Sequence, residues 1–412
     1  MRTPLLAICL SMLLLEVGAA QDSSNVRRVG SWVWPDGDAR GLAVSGGYAF
    51  VAWGDDTGDS AQGLRVISVA DSMQPPVEVG FVWTPGDAYR VAVEGNYAYV
   101  ADGTGGLRVI SVADPANPVE VASCSKRGRT SDVALAGGYA YVTDADSGGL
   151  GILSVADPSH PVQVGYCNRP SNSTSVTVSG HYAYVLFDSL YVISVSDPAN
   201  PVVVGTGKIT SGTGVAVSGY YAYVTDQAYR LRVFRVADPA HPVEVWRGDL
   251  STDGNGVVVV GSHAYVAAYY YGLRVMSVTD VAHPYEVGYY VLDHHLRWVA
   301  GVAAVGDYAY VAYGDIGLQI FKFYGAGVEE TPNAEVRTTN SGPTIAHGVL
   351  FVAGARDEGQ GTRDELLDIS GRKVLNLKSG ANDVSHLAPG VYFVRSPASG
   401  ERSVVAKVLV TR

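Results

Sequence analysis

The sequence predicts an all-β protein: a seven-bladed β-propeller closed by an N-terminal strand, followed by a small Ig-like β-sandwich. Three observations carry this prediction. A "YAYV"-type motif recurs seven times, with its first ring at Tyr48, Tyr97, Tyr139, Tyr182, Tyr221, His263 and Tyr308, 39 to 49 residues apart. A β-type repeat of that length points to propeller blades, and nothing in it has a helical period. Each copy also divides into four short runs. The fourth run is missing from the last copy and present at the front of the chain.

The second copy shows the four runs. Residues 89–95 (YRVAVEG) form the innermost strand, 96–102 (NYAYVAD) the second, 106–114 (GLRVISVAD) the third and 117–123 (NPVEVAS) the outermost. Side chains alternate along a strand, so Tyr97 and Tyr99 share one face while Ala98 and Val100 share the other. Both faces are apolar because each blade lies between two others. A large face against a small one lets neighbours interlock, so identical blades need identical strands. Turns such as "DPANP" (114–118, 197–201), "DPSHP" (157–161) and "DPAHP" (238–242) join the third strand to the fourth, with Asp bonding nearby backbone N–H groups and Pro presetting φ. The seventh copy ends at "GLQIFKFYG" (317–325) without a fourth strand. "NVRRVGSWVW" (25–34) matches one, so the N-terminal strand is expected to complete the last blade and remove an open sheet edge.

Residues 1–20 read as a secretory signal peptide: Arg2 at the start, an apolar run over 5–15, and small Gly18 and Ala20 ahead of a cleavage point before Gln21. That run is too short to span a bilayer, and no later segment reads as a transmembrane one. The expected domains are therefore 21–325 (propeller), 326–339 (polar linker) and 340–412 (sandwich of short alternating strands). A net charge of −11 argues against nucleic acid as a partner, since phosphate binding leans on a basic surface. Cys124 and Cys167 hold the same place in adjacent blades, where outer strands diverge, so no bond between them is expected.

At this level two resemblances emerge. "LRVISVADPANPVEVA" (107–122) and its copies resemble the LVIVD-repeat family of secreted bacterial propellers, and "YVTDADSGGLGILSVAD" (141–157) is similar to the related YVTN repeats. The resemblance covers 25–325 and implies a propeller used for binding, at the cell surface or secreted. "LLDISGRKV" (366–374), "LAPGVYFVR" (387–395) and "VAKVLVTR" (405–412) resemble the sorting domain of type IX secretion cargo. That implies export through an outer-membrane secretion machinery by way of residues 340–412.

Candidate site residues fall on the loops between second and third strands and between one blade and the next. Asp55, Asp102, Asp144, Asp188, Asp226 and Asp315 each follow a second strand. Placed around an axis, such carboxylates would attract calcium, and each equally fits the start of a hairpin turn. Trp53, Tyr269, Tyr270, Tyr271, Trp298 and Tyr313 fall in loops of blades six, seven and one, which become neighbours once the ring closes. Trp34 and Trp83 lie close by at strand-four ends. Aromatic rings beside carboxylates suit a sugar face or a peptide side chain. "DHHLRW" (293–298) departs from every other loop and adds Asp293, His294, His295 and Arg297, groups fit for acid–base work or metal binding. No acid/base pair aimed at one point is evident. The residues thus lead to a non-catalytic binding or adhesion module for an extracellular glycan or protein, with a polysaccharide hydrolase or lyase and a structural surface-layer component as the alternatives.

Overall fold

In a computed structural model, the described residues of the propeller are 23–33, 37–54, 62–70, 74–124, 128–146, 148–169, 172–250, 253–291 and 298–325, with further strand segments between 334 and 411. The first region forms seven antiparallel sheets around an axis. Blade one spans Asp38–Trp83, blade two Arg90–Cys124, blade three Thr130–Cys167, blade four Ser175–Lys208, blade five Gly212–Asp249 and blade six Gly256–Tyr290. Blade seven takes three strands from Gly301–Phe323. Its outermost strand is Val26–Trp32, whose Val26 faces Phe323 and whose Trp32 faces Leu318. Ser23 and Ser24 pair with Tyr290 and Tyr289, as a fifth strand on blade six. The start of the chain thus touches two blades. In the second copy the strands are Arg90–Glu94, Tyr97–Ala101, Leu107–Ser111 and Val119–Cys124, within two residues of the expected ends apart from a third strand that stops at Ser111.

Each interface between blades is built alike. A ring from the second strand of one blade packs on an Ala and a Val from the second strand of the next. Phe50 meets Ala98 and Val100, Tyr99 meets Ala140 and Val142, and Tyr141 meets Ala183 and Val185. Tyr184, Tyr223, Tyr265 and Tyr310 repeat this around the ring, the last on Ala49 and Val51 of blade one. The large-against-small alternation in the sequence is therefore the packing rule of the core.

A second joint lies near the rim. On blades one, three and four the fourth strand carries a glycine where the next blade's turn rests on it, and blade two has Ala122 at the aligned position. A Cβ on Gly80, Gly165 or Gly205 would sit 2.2, 1.9 or 2.1 Å from the carbonyl oxygens of Pro115, Pro198 and Pro239. Gly30 of the N-terminal strand faces the ring carbons of Pro76 of blade one, at 3.2 Å. Blade five has Trp246 at this position, and the turn that follows it reads Asp280–Val281 in place of Asp–Pro. The turn aspartates do what their type suggests. Asp114 accepts from the Ala116 N–H at 3.1 Å and from Asn117 at 2.8 Å, and Asp157 accepts from the Ser159 N–H at 3.0 Å.

Among the described residues of 334–411, eight strands form two sheets, of three and five strands. The longest pair joins Gly390–Ser396 to Val404–Thr411. Among the described residues no helix is long and apolar enough to cross a membrane.

Candidate functional site on the axial mouth

The innermost strands of all seven blades meet at the axis around a cavity of about 150 Å³. The residue just before the first valine or leucine of each innermost strand sets its character. In blade order these are Gly41, Arg90, Asp132, Ser175, Gly214, Gly256 and Gly301. Glycines on blades five, seven and one let neighbouring innermost strands approach closely: a Cβ on Gly214, Gly301 or Gly41 would meet the next blade's backbone at 2.7, 3.2 and 2.5 Å, whereas one on Gly256 of blade six meets nothing nearer than 3.9 Å. Blades two, three and four place polar side chains there instead. Innermost strands run away from the face that carries the loops between blades, so this cavity lies at the mouth on that face.

Arg90 reaches across the opening. Its Nη1 donates to the Arg40 carbonyl at 2.7 Å and to the Tyr89 carbonyl at 3.2 Å, and its Nη2 to the Asn255 carbonyl of blade six at 3.4 Å. Burial lowers its pKa, against the pull of Asp132 in the opposite direction. Asp132 accepts from the Val133 N–H at 2.8 Å, the Val176 N–H at 2.9 Å and the Ser175 hydroxyl at 2.9 Å. Burial raises its pKa, with Arg90 and these donors opposing. Around the mouth, side chains tie one blade to the next: Ser131 to the Ser173 carbonyl at 2.7 Å, Thr174 to the Gly212 carbonyl at 2.7 Å, Thr213 to the Gly254 carbonyl, and Asn255 to the Val299 carbonyl at 2.6 Å.

An aromatic cluster stands beside this mouth on blades six and seven. Tyr269–Tyr271 form a single 3₁₀ turn between the second and third strands of blade six. The Tyr269 and Tyr270 rings are 4.2 Å apart, and Trp298 lies 6.3 Å from Tyr269. Tyr270 and Tyr271 are 44% and 38% exposed, and the Arg274 guanidinium sits 5.6 Å from the Tyr271 ring centre. Tyr269 has φ of 25°, a conformation a bulky residue adopts only when its surroundings enforce it. Its hydrogen bond with Tyr270, and then burial, push its hydroxyl up to about 12. The Val299 N–H donates to the Tyr269 carbonyl at 3.1 Å, while the Val299 carbonyl accepts from Asn255, whose own carbonyl bonds Arg90. Aromatic turn and axial arginine are thus joined through two residues.

The sequence-derived candidates divide three ways. Tyr269, Tyr270, Tyr271 and Trp298 lie close together. Trp53 and Tyr313 do not join them: both are fully buried in interfaces between blades, Trp53 edge-on to Trp32 at 5.6 Å. The loop reading of Trp53 is corrected by the length of its strand, which runs Tyr48–Gly54 and carries the indole into the sheet. Asp55, Trp34 and Asp293, His294, His295 and Arg297 lie outside the described residues. Trp83 is exposed at the end of its fourth strand.

The aspartates after second strands do not ring the axis. Asp102 and Asp226 are fully buried. Asp102 accepts from the Thr84 hydroxyl at 2.5 Å and the Gly86 N–H at 2.9 Å, and Asp226 from the N–H groups of Ala228 and Arg230. Asp144 is bonded by the Asp146 N–H, Asp188 is exposed and bonded by the Tyr191 hydroxyl, and Asp315 is exposed. Among the described residues no three His, Cys, Asp or Glu side chains converge to hold a metal. Second strands stand one place out from the axis, so residues at their ends serve turns between blades. Cys124 and Cys167 are free thiols in two different interfaces, between blades two and three and between three and four.

Burial pushes the Asp102 carboxyl up to about 6, outweighing its hydrogen bonds and the Arg108 guanidinium. A folded value above the unfolded one means that this group stabilises the fold when protonated. Its contribution is lost as pH rises from about 4 through 6. Urea unfolding between pH 4.5 and 7.5 should therefore show a downward slope from this site, of the order of 2–3 kcal/mol in total, that Asp102→Asn removes. An unchanged slope in the variant would assign the effect elsewhere.

A model of the LVIVD repeat matches residues 36–57, 85–126, 127–169, 170–207, 211–249 and 297–321, together just over half the chain. The chain belongs to the LVIVD-repeat family. Blade six, which carries the tyrosine turn, lies outside the matched segments of this LVIVD propeller. Comparison with curated proteins finds no match. Among solved structures, the LVIVD propeller is similar to the computationally designed Ika8 protein, with a TM-score of 0.51 at 9% identity over 72% of this chain and 99% of that one. That likeness concerns the fold alone. A propeller of LVIVD repeats points to a binding or scaffold role.

Proposed function

We propose that this LVIVD propeller is a secreted or cell-surface adhesion module that binds an extracellular glycan through the aromatic turn of blade six and Trp298. One observation carries the reading: two tyrosine rings stay exposed on a turn held in a strained conformation, beside the one cavity that all blades share. Rings fixed at a rim stack on the apolar face of a sugar, and nearby backbone and carboxylate groups bond its hydroxyls. The leader over 1–20 and the sorting-like motifs of 340–412 support an extracellular place, with the C-terminal strands as an Ig-like export or attachment module. In the same reading Val26–Trp32 is the clasp that closes the ring.

The test is retention of the full chain on immobilised glycans. Tyr270→Ala with Tyr271→Ala should weaken binding about tenfold, while Tyr220→Ala, an exposed ring on the opposite face, leaves it unchanged. Retention on no glycan, or equal retention of the double variant, would end this reading. Retention by an extracellular protein alone would transfer the surface to that partner.

A further inference from the structure

We propose that the axial cavity is a carboxylate site that seats a terminal acidic sugar residue of uronate type. The proposal rests on the glycan reading and names its ligand class. Arg90 is half-buried at the mouth where the seven blades meet, and all its hydrogen bonds go to neutral carbonyls. Among the described residues it makes no ion pair. Its guanidinium keeps N–H groups to spare, and a guanidinium matches a carboxylate in charge and in the spacing of two donors. Asp132 is satisfied by neutral donors and retains acceptor capacity for a sugar hydroxyl. The two charges therefore stand apart at the mouth, and a ligand bearing both a carboxylate and hydroxyls answers both.

Size and placement narrow the choice. About 150 Å³ is well below the roughly 300–1,000 Å³ of sites that swallow a whole drug-sized ligand, so the cavity admits one end group. The glycine-lined side of the cavity is made by Gly256, Gly301, Gly41 and Gly214. It lies toward blade six, where Asn255 and Val299 link Arg90 to the tyrosine turn. A chain whose last residue enters the mouth would thus leave it across the aromatic rings. A peptide C-terminus has the carboxylate but lacks the ring hydroxyls and the apolar sugar face, so the observations favour the sugar.

Calorimetric titration of the full chain with sodium glucuronate, glucose and an N-acetylated dialanine decides the matter. Glucuronate should bind, with glucose at least tenfold weaker. Arg90→Met should weaken glucuronate by about ten- to a hundredfold, the worth of a hydrogen bond to a charged group. Because Arg90 also ties strands together, Gly256→Ala provides a second variant. Its new methyl meets nothing nearer than 3.9 Å, so the fold is kept while the cavity narrows, and glucuronate binding should fall several-fold with an unchanged melting temperature. Equal binding of glucose and glucuronate would overturn the carboxylate site and leave glycan recognition standing. Binding of the dipeptide alone, or of none of the three, would overturn the proposal.

Discussion

Removing residues 21–33 is expected to abolish the monomeric propeller. Those residues supply the outer strand of blade seven, with Val26 and Trp32 buried in the interfaces on either side of that blade. Asn25 adds a hydrogen bond from its side chain to the Val287 carbonyl at 2.7 Å, and its own carbonyl accepts from the Tyr324 N–H at 3.0 Å. Burial of the two apolar side chains contributes about 1.5–3 kcal/mol each, and a full antiparallel ladder is lost besides. Against a typical stability of about 5–15 kcal/mol, that is enough to unfold or open the ring. The strand left at the edge reads "LQIFKF", apolar and β-prone, so the product should self-associate. Light scattering during size exclusion, with a circular-dichroism melt, measures both effects. A truncated chain that stays monomeric and melts within a few degrees of the full one would show that the strand is an accessory.

Gly165→Val is expected to cost about 3 kcal/mol or more, lowering the melting temperature by roughly 6–12 °C. Strand propensity alone predicts the opposite sign, since valine is favoured over glycine in a strand. The steric argument wins because the new Cβ would sit 1.9 Å from the Pro198 carbonyl oxygen and 3.0 Å from its carbon. Those are backbone atoms of the next blade's turn, and they cannot swing aside as a flexible side chain would. Relief requires the turn of blade four to lift from blade three, which also opens the Tyr141 interface beneath. A melting temperature within about 2 °C of the parent would show that the joint carries no load.

Much of this architecture is legible in residues taken singly. The Tyr–Ala–Tyr–Val alternation states the large and small faces of each blade, and the fold places them against each other seven times. The Gly30 of "NVRRVGSW" sits where Gly80, Gly165 and Gly205 sit, so a strand-four reading of the N-terminus follows from one residue type. The site was less legible. Trp53 and Tyr313 resemble loop aromatics in sequence, because one extra pair of strand residues decides whether a ring points to solvent or between blades. Asp102 and Asp226 repeat with the blade period, and repetition reads as a ring of ligands when it is a ring of turns. Arg90 and Asp132 leave a signal in the sequence: at one aligned position four blades have glycine and three adjacent blades have Arg, Asp and Ser. Their meaning depends on which strand faces the axis, and only the assembled ring supplies that.

Ligand is expected to meet the mouth on the side of blades six and seven. Backbone hydrogen exchange of the full chain, with and without a glucuronate-terminated oligosaccharide, tests it most directly. Protection is predicted in residues 254–258, 269–273 and 298–302. Protection confined to the turns at 157–161 and 238–242 on the opposite face, or none anywhere, would contradict it.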